Sequence, residues 1–455
     1  MWSSDARRLD VARLRELVGT GQLDTVELAA VDLQGRLQGR RLSAEFFLAE
    51  VLKGGQECQS YLLATDAEMS TPDGYAIASW RTGYGNLVLR PDPDTLRRAA
   101  WRPGTALVLS DLAWRDGRPV AVSPRQILRA QLGRLAELGL TAFVGAELEF
   151  LLFNTSYRDA WHAGYRNLEP AGHFGDDFAL LETDTDGSFL RRLTGCLAEA
   201  DVPLECVVSE ANVGQYELVL RYSDALTACD NQAVARFAVK QLAAAHGMSA
   251  TFMPKFNRRE GNACHLHFSV RTEAGEPAFA GDGPHGFAPL MERFLAGQLA
   301  HLREFTLLFA PNVNSYKRYV DGSYAPTAAA WGLDNRSCAL RALGRDQSLR
   351  FEHRSPGADA NPYLAVSAII AAGLLGVEDD LPLEPPLAGN AYTSDRPRVP
   401  AGLAEAARLF AESTAARRAF GDEVVDHYVR AAEVELEAFA GEVTDWERYR
   451  SFERL

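Results

Sequence analysis

The chain has 455 residues, 47% of them hydrophobic and 24% charged, which excludes a wholly disordered polymer and predicts more than one domain. A formal net charge of −14 argues against nucleic acid or an anionic membrane as a partner, although an acidic total still permits a local basic pocket. The opening residues MWSSDARRLD contain no apolar run of the kind a secretory leader needs, and the six cysteines are scattered with no C-x-x-C pair, so a reducing cytoplasm is the expected location. The longest apolar run, near Ala365–Val377, is too short to cross a bilayer.

Before residue 118, short β-rich runs alternate with turns: Leu23–Asp32 then Gln34-Gly35, Asn86–Leu89 then Pro91-Asp92-Pro93, and then Ala106–Leu109. They predict a small α+β domain over residues 1–118, with a second domain over 119–455. The second opens on a helix signal: Ser123 can cap, Pro124 suits the first helical position, Ile127, Leu128, Leu132 and Leu135 form an apolar stripe, and Gly139 suits the end. Strand-like and helical runs alternate to about residue 380, including a helix over Pro362–Leu375. Helices over Ala401–Ser413 and Gly421–Glu442 follow. Tyr157–Asp177, rich in Gly, Asn and aromatics, reads as a long loop.

Four runs place charge with period two inside apolar strands. In Thr141–Phe153 (TAFVGAELEFLLF), Glu147 and Glu149 share one face and Leu148 and Phe150 the other. A wet outer face explains that strand taken alone. In Val207–Leu220, Glu210 and Glu217 flank a Gly214-Gln215 turn that two strands or a bulge would close. In Gly261–Val270, His265, His267 and Ser269 alternate with Leu266, Phe268 and Val270. In Arg350–Arg354, Arg350, Glu352 and Arg354 alternate with Phe351 and His353, as either a surface ion-pair ladder or an anion pocket around a ligand. Together they offer five glutamates and two histidines. Such oxygen-dominated donors suit Mg²⁺ or Mn²⁺ rather than zinc, and five carboxylates exceed the need of one ion, so two are expected.

Cationic residues cluster further along, in Asn312–Tyr319 (NVNSYKRY, with Lys317 and Arg318) and Asp334–Arg341 (DNRSCALR, with Arg336 and Arg341). Metals beside arginines imply a polyphosphate and a carboxylate, and phosphoryl transfer is the chemistry that uses both. The G-x-G-x-x-G of Gly281, Gly283 and Gly286 contains Pro284 and lacks the strand-to-helix context of a dinucleotide site, so it reads as a surface turn.

In this order, AELEFLLF, SEANVGQYE, GNACHLHFS, NSYKRY, DNRSCALR, RFEHRSPGADANPYLA, GDEVVDHYV and VTDWER resemble the glutamine synthetase superfamily, in particular its γ-glutamyl-amine ligase branch. DLQGRLQGRRL and PDPDTLRRAAW resemble its N-terminal domain less specifically. The resemblance implies an α+β fold: a β-grasp-like domain, then a large catalytic domain with a curved antiparallel sheet flanked by helices. It implies that Glu149, Glu210 and Glu217 hold one metal and Glu147, His265 and Glu352 the other. His267, Ser269, Arg341 and Arg350 would contact ATP. Arg318, Arg354 and Gly261 would bind the acid substrate, and Arg336 would act near the transferred phosphate. It further implies small-molecule substrates, a glutamate-like acid and an amine, and a homo-oligomer of two stacked hexameric rings forming a dodecamer.

Two departures bear on the substrate. Ammonia-using members carry a glutamate in the loop after N-S-Y-K-R, whereas YVDGSYAP places Tyr324 there, neutral near pH 7 and suited to walling a pocket for an organic amine. Ala263 stands in GNACH where the family has glycine. The family's ammonium-site aspartate has no clear counterpart; Asp66 is the candidate. The expected reaction is therefore ATP-dependent amide formation with an organic amine. Glutamine synthesis from ammonia is the alternative, and a non-catalytic family member a third reading.

Overall fold

The computed structural model describes residues 9–180 and 186–455; residues 1–8, most of the segment examined for a leader, lie outside it. Among the described residues two sheets form. The first contains β1 (Thr25–Val31), β2 (Leu37–Ser43), β3 (Gln56–Gln59), β4 (Asn86–Pro91), β5 (Arg97–Arg98) and β6 (Thr105–Ala113) in the order β2-β1-β6-β4-β3, with β5 on β6. β1 runs parallel to β6 and antiparallel to β2. The β1–β2 turn is closed by Asp32, whose Oδ1 accepts from the backbone N–H groups of Gln34 (3.0 Å) and Arg36 (2.9 Å).

The second sheet contains β7 (Leu140–Phe153), β8 (Leu204–Ser209), β9 (Gln215–Asp224), β10 (Ser249–Thr251), β11 (Cys264–Thr272), β12 (Trp331–Leu333), β13 (Leu340–Leu343) and β14 (Arg350–His353). Their order is β12-β13-β14-β11-β7-β9-β8, with β10 on β7, and every pairing is antiparallel except the short β12–β13 contact. Helix Ala225–Ala245 packs against β7 and β9. Inward-facing Phe268 and Phe351 form an aromatic cluster with Phe279 and Phe294, ring centroids 5.3–6.2 Å apart.

Helices Pro289–Phe309 and Pro362–Glu378 lie against each other. The second is apolar on all sides, as a helix buried among neighbours must be. Their approach requires glycine: a Cβ on Gly297 would sit 2.0 Å from the Ala372 carbonyl oxygen. None of the described helices is long and apolar enough to cross a membrane. The expected helix over 124–136 is present, but the Ser123 side chain makes no capping bond. The tail helices appear as Leu403–Glu412 and Asp422–Ala440, with Thr414–Phe420 and Asp445–Ser451 in addition.

The expected loop over Tyr157–Asp177 is in part helical. Residues Tyr157–His162 form a short helix capped by Ser156, whose Oγ accepts from the Asp159 backbone N–H at 3.1 Å. GDGPHG is the surface turn expected of it, a single 3₁₀ turn with exposed residues.

The two sheets are tied through Arg125, at the start of helix Pro124–Ala136 and 2% exposed. Its guanidinium donates to Asp92 (2.7 Å), Asp111 (2.6 Å) and Asp230 (3.0 Å), and Tyr363 Oη donates to Asp230 at 2.6 Å. Arg129 also pairs with Asp92 (3.0 Å) and Asp111 (3.1 Å), so removing Arg125 chiefly leaves the buried Asp230 without its ion-pair partner, at about 3–5 kcal/mol for a broken buried pair. Arg125→Met should therefore lower the thermal unfolding midpoint by several degrees; an unchanged midpoint would show that the cluster contributes nothing net.

Candidate active site

The four acid- and histidine-bearing runs become neighbouring strands β14, β11, β7 and β9. Register sets His265 opposite Glu147, Glu149 opposite Glu217, and His267 opposite Glu352. Because strand side chains alternate, the same pairing sends Leu148, Phe150, Leu218 and Phe351 into the core, each 0% exposed. The apolar half of each strand thus anchors a polar half that would not otherwise assemble.

The β8–β9 connection is the hairpin expected around Gly214, which has φ +71° and whose Cβ would lie 2.7 Å from the Leu152 carbonyl oxygen. Glu210 follows β8 directly, its backbone N–H donating to the Gln215 carbonyl at 2.9 Å. One ligand oxygen from each of Glu149, Glu210 and Glu217 lies within 4.8 Å of the others.

On the other side of Glu147 the donors differ. His265 Nδ1 lies 3.2 Å from Glu147 Oε2 and 3.5 Å from Glu352 Oε1. His267 is occupied at both ring nitrogens: Arg350 Nε donates to Nδ1 at 3.1 Å, which leaves Nε2 to carry the proton donated to Glu147 Oε1 at 2.8 Å. His265 Nδ1 faces two carboxylates, but the ligand atoms within 4.8 Å of one another group His265 with Glu147 and Glu217, and group His267 rather than His265 with Glu147 and Glu352.

The electrostatics test whether cations fit. Burial, reinforced by Glu149, pushes Glu210 up to about 8, and burial with Glu147 and Glu149 pushes Glu217 up to about 9. Burial also raises Glu147 and Glu352, but the neighbouring histidines, and Arg354 beside Glu352, outweigh it and hold both below the usual carboxylate range. One end of the cleft is met by the chain's own arginines and imidazoles, and the other has no such partners among the described residues. A hard divalent ion would supply what the Glu149–Glu210–Glu217 end lacks.

The arginines divide by position. Arg341 Nη1 donates to Glu352 Oε2 at 3.0 Å while its Nε donates to Asp334 at 2.8 Å. Arg354 pairs with Glu352 and Arg318 donates to the carbonyls of Arg354 (3.1 Å) and Pro356 (3.0 Å), yet the buried Nε of each has no partner. Gly261 closes against this pair, where a Cβ would meet the Pro254 carbonyl oxygen at 2.2 Å and Arg318 Cγ at 2.9 Å. A neighbouring cavity of about 330 Å³ is lined by Glu147, His267, Ser269 and Arg350 together with Tyr222 and Arg271. Arg336 is exposed on the turn between β12 and β13. Tyr324 is 66% exposed at φ +59°, its carbonyl facing Arg354 Nη2 at 3.4 Å.

Ala263 does not adopt a left-handed backbone, so the methyl group brings no strain there. Asp66 caps its own loop, accepting from the Glu68 and Ser70 backbone N–H groups. Sequence reasoning passed over Gln215 and Asn262, both buried, which join Glu149 to the Gly261 loop. Gln215 stands two residues before Glu217 on the same strand face, and that spacing was the available signal.

A family description of the glutamine synthetase catalytic domain matches residues 121–451. The chain is 54% identical over 447 residues (98% of this chain, 96% of the relative) to a gamma-glutamylethanolamide synthetase of Streptomyces coelicolor. It is 34% identical over 454 residues (98% and 99%) to a glutamate–isopropylamine ligase of a Pseudomonas species. The solved structure of a GmaS–ADP complex superposes with TM-score 0.83 at 27% identity, covering 96% of this chain and 99% of that one.

The raised carboxyls carry a sign. Glu210 and Glu217 are protonated in the folded chain up to about 8 and 9 but ionise near 4.5 when free, so the folded state holds extra protons between those limits. Stability of the metal-free protein should fall as pH rises from about 5 to about 9, and saturating Mg²⁺ should flatten the decline. A metal-free thermal midpoint independent of pH across this window would contradict the arrangement.

Proposed function

The chain belongs to the glutamine synthetase family and is an ATP-dependent ligase, and from that premise we propose that it joins the γ-carboxylate of glutamate to a short organic amine, with ethanolamine the leading candidate. The observation that carries this reading is the 54% identity over nearly the whole of both chains with a relative named for γ-glutamylethanolamide. Glutamine synthetases of mycobacteria and Halobacterium salinarum stand at 32–34%. Tyr324 supports the same choice, since it stands in the loop where ammonia-using members carry a glutamate.

In this reading Glu149, Glu210 and Glu217 hold one divalent ion, and Glu147, His265 and Glu352 a second. The ions supply charge neutralisation on the phosphates. Within the 330 Å³ cavity, His267, Ser269 and Arg350 orient the nucleotide, and Arg341 and Arg336 approach it from β13 and the turn before it. Arg318, Arg354 and Gly261 hold the acid by its α-carboxylate; the orphaned Nε atoms of the two arginines are the donors a carboxylate would satisfy.

A γ-carboxylate oxygen then attacks the terminal phosphorus of ATP and ADP leaves. The amine nitrogen attacks the acyl carbon, phosphate departs, and the nitrogen loses a proton to give the amide. Tyr324 offers no carboxylate to pair with ammonium; its role is to bound the amine. The boundary between an N-terminal domain and this catalytic part is placed at residues 118/119. Trp80 and Phe452, exposed at 82% and 88%, are the kind of surface that contacts in a dodecamer of two hexameric rings would cover.

With glutamate, ATP and Mg²⁺ supplied, ADP release should be stimulated by ethanolamine and other small primary amines far more than by ammonium at equal concentration. Equal or greater stimulation by ammonium would favour glutamine synthesis instead, and none at all would sink the ligase reading. Tyr324→Ala should raise KM for the amine about tenfold and leave KM for ATP unchanged.

A further inference from the structure

We propose that Gln215 is a positioning residue that couples the metal site to the acid-binding loop, so that each is held in place by the other. The inference rests on the ion and acid assignments just made. Gln215 is the first residue of β9, 2% exposed, and shares a strand face with Glu217.

Its side-chain amide is a junction. Nε2 lies 3.0 Å from Glu149 Oε2, 2.9 Å from the Gly261 carbonyl oxygen and 3.0 Å from Asn262 Oδ1. Oε1 accepts from the Asn212 backbone N–H at 3.1 Å, which fixes which end of the amide faces the carboxylate. Glu149 Oε2 also accepts from the Ala263 backbone N–H at 2.8 Å. Both donors therefore engage one oxygen of Glu149 and leave Oε1 free of protein donors among the described residues.

The loop on the far side is held as firmly. Asn262, 1% exposed, donates through Nδ2 to the Met253 carbonyl at 2.8 Å, and its carbonyl accepts from Ala358 N–H at 3.1 Å. Gly261 in turn lies against Arg318. A single buried amide thus spans the distance from a carboxylate that takes the ion to the glycine beside the arginines that take the acid. Buried polar groups linked this way lose orientation together when one link is cut.

An amide suits this place better than its isosteres. Methionine fills the volume but donates nothing, and asparagine keeps the amide but withdraws it by one methylene. Neither touches the cavity lined by His267, Ser269 and Arg350.

The test uses the full-length chain and two readouts. Mn²⁺ is titrated into metal-free protein with free Mn²⁺ followed by electron paramagnetic resonance, and steady-state constants are measured with ethanolamine saturating. Gln215→Met is expected to weaken Mn²⁺ binding by about tenfold or more and to raise KM for glutamate on the order of tenfold, with KM for ATP unchanged. Excess Mn²⁺ should restore kcat. Wild-type Mn²⁺ affinity together with wild-type KM for glutamate overturns the proposal, as does a parallel rise in KM for ATP, which a general loosening would produce. Gln215→Asn gives the same signs in smaller measure and serves if the methionine variant does not fold. Absence of acid- and amine-dependent turnover in the unmodified chain would remove the functional reading, while the Mn²⁺ titration would still report on the link to Glu149.

Discussion

The fold is organised around a repulsion it does not itself cancel. Glu147, Glu149, Glu217 and Glu352 are brought to one face of four adjacent strands, and Glu210 joins them from the turn after β8, where partial burial weakens screening by water. Their placement is enforced by the opposite face, where Leu148, Phe150, Leu218, Phe268 and Phe351 are buried. Hydrophobic burial is thus the force that holds like charges together, and the pleat is the device that converts one into the other.

The chain relieves that repulsion unevenly. Toward β14 it supplies its own partners: Arg354 and Arg341 pair with Glu352, and both histidine rings face Glu147. Toward β8 it supplies none among the described residues, and burial with the neighbouring carboxylates favours protons on Glu210 and Glu217. Arg354, one of the arginines at the β14 end, and Arg318 beside it keep unpaired Nε groups in reserve. In the proposed reading this difference suits one end to a metal ion alone and the other to anions as well.

Much of this was legible in the sequence because period-two charge inside an apolar run has few physical explanations. The register of the four strands was not legible, since pairing partners are set by long-range packing rather than by local pattern. The short helix at Tyr157–His162 went unread because its capping signal, Ser156 with Asp159, is weaker than the loop-like composition around it. The family resemblance supplied the roles of residues such as Arg336 and Tyr324, whose exposed positions on turns carry no periodic signal. Gln215 escaped for a different reason: it reads as half of the Gly214-Gln215 turn, whereas it is the first residue of β9 and shares a face with Glu217.

The separation in sequence of the partners has a kinetic consequence. His265 and Glu147 are 118 residues apart, and Arg350 and His267 are 83 apart. Each strand pair that builds the cleft must close a loop of this length before any contact within it offsets the lost chain entropy. The core face can collapse early on hydrophobic contacts, but the acidic face exists only once β14, β11, β7 and β9 are in register. Mutual repulsion among the carboxylates is therefore met only once those strands have paired. A chain built this way concentrates its negative charge only when it has already acquired the architecture able to bear it.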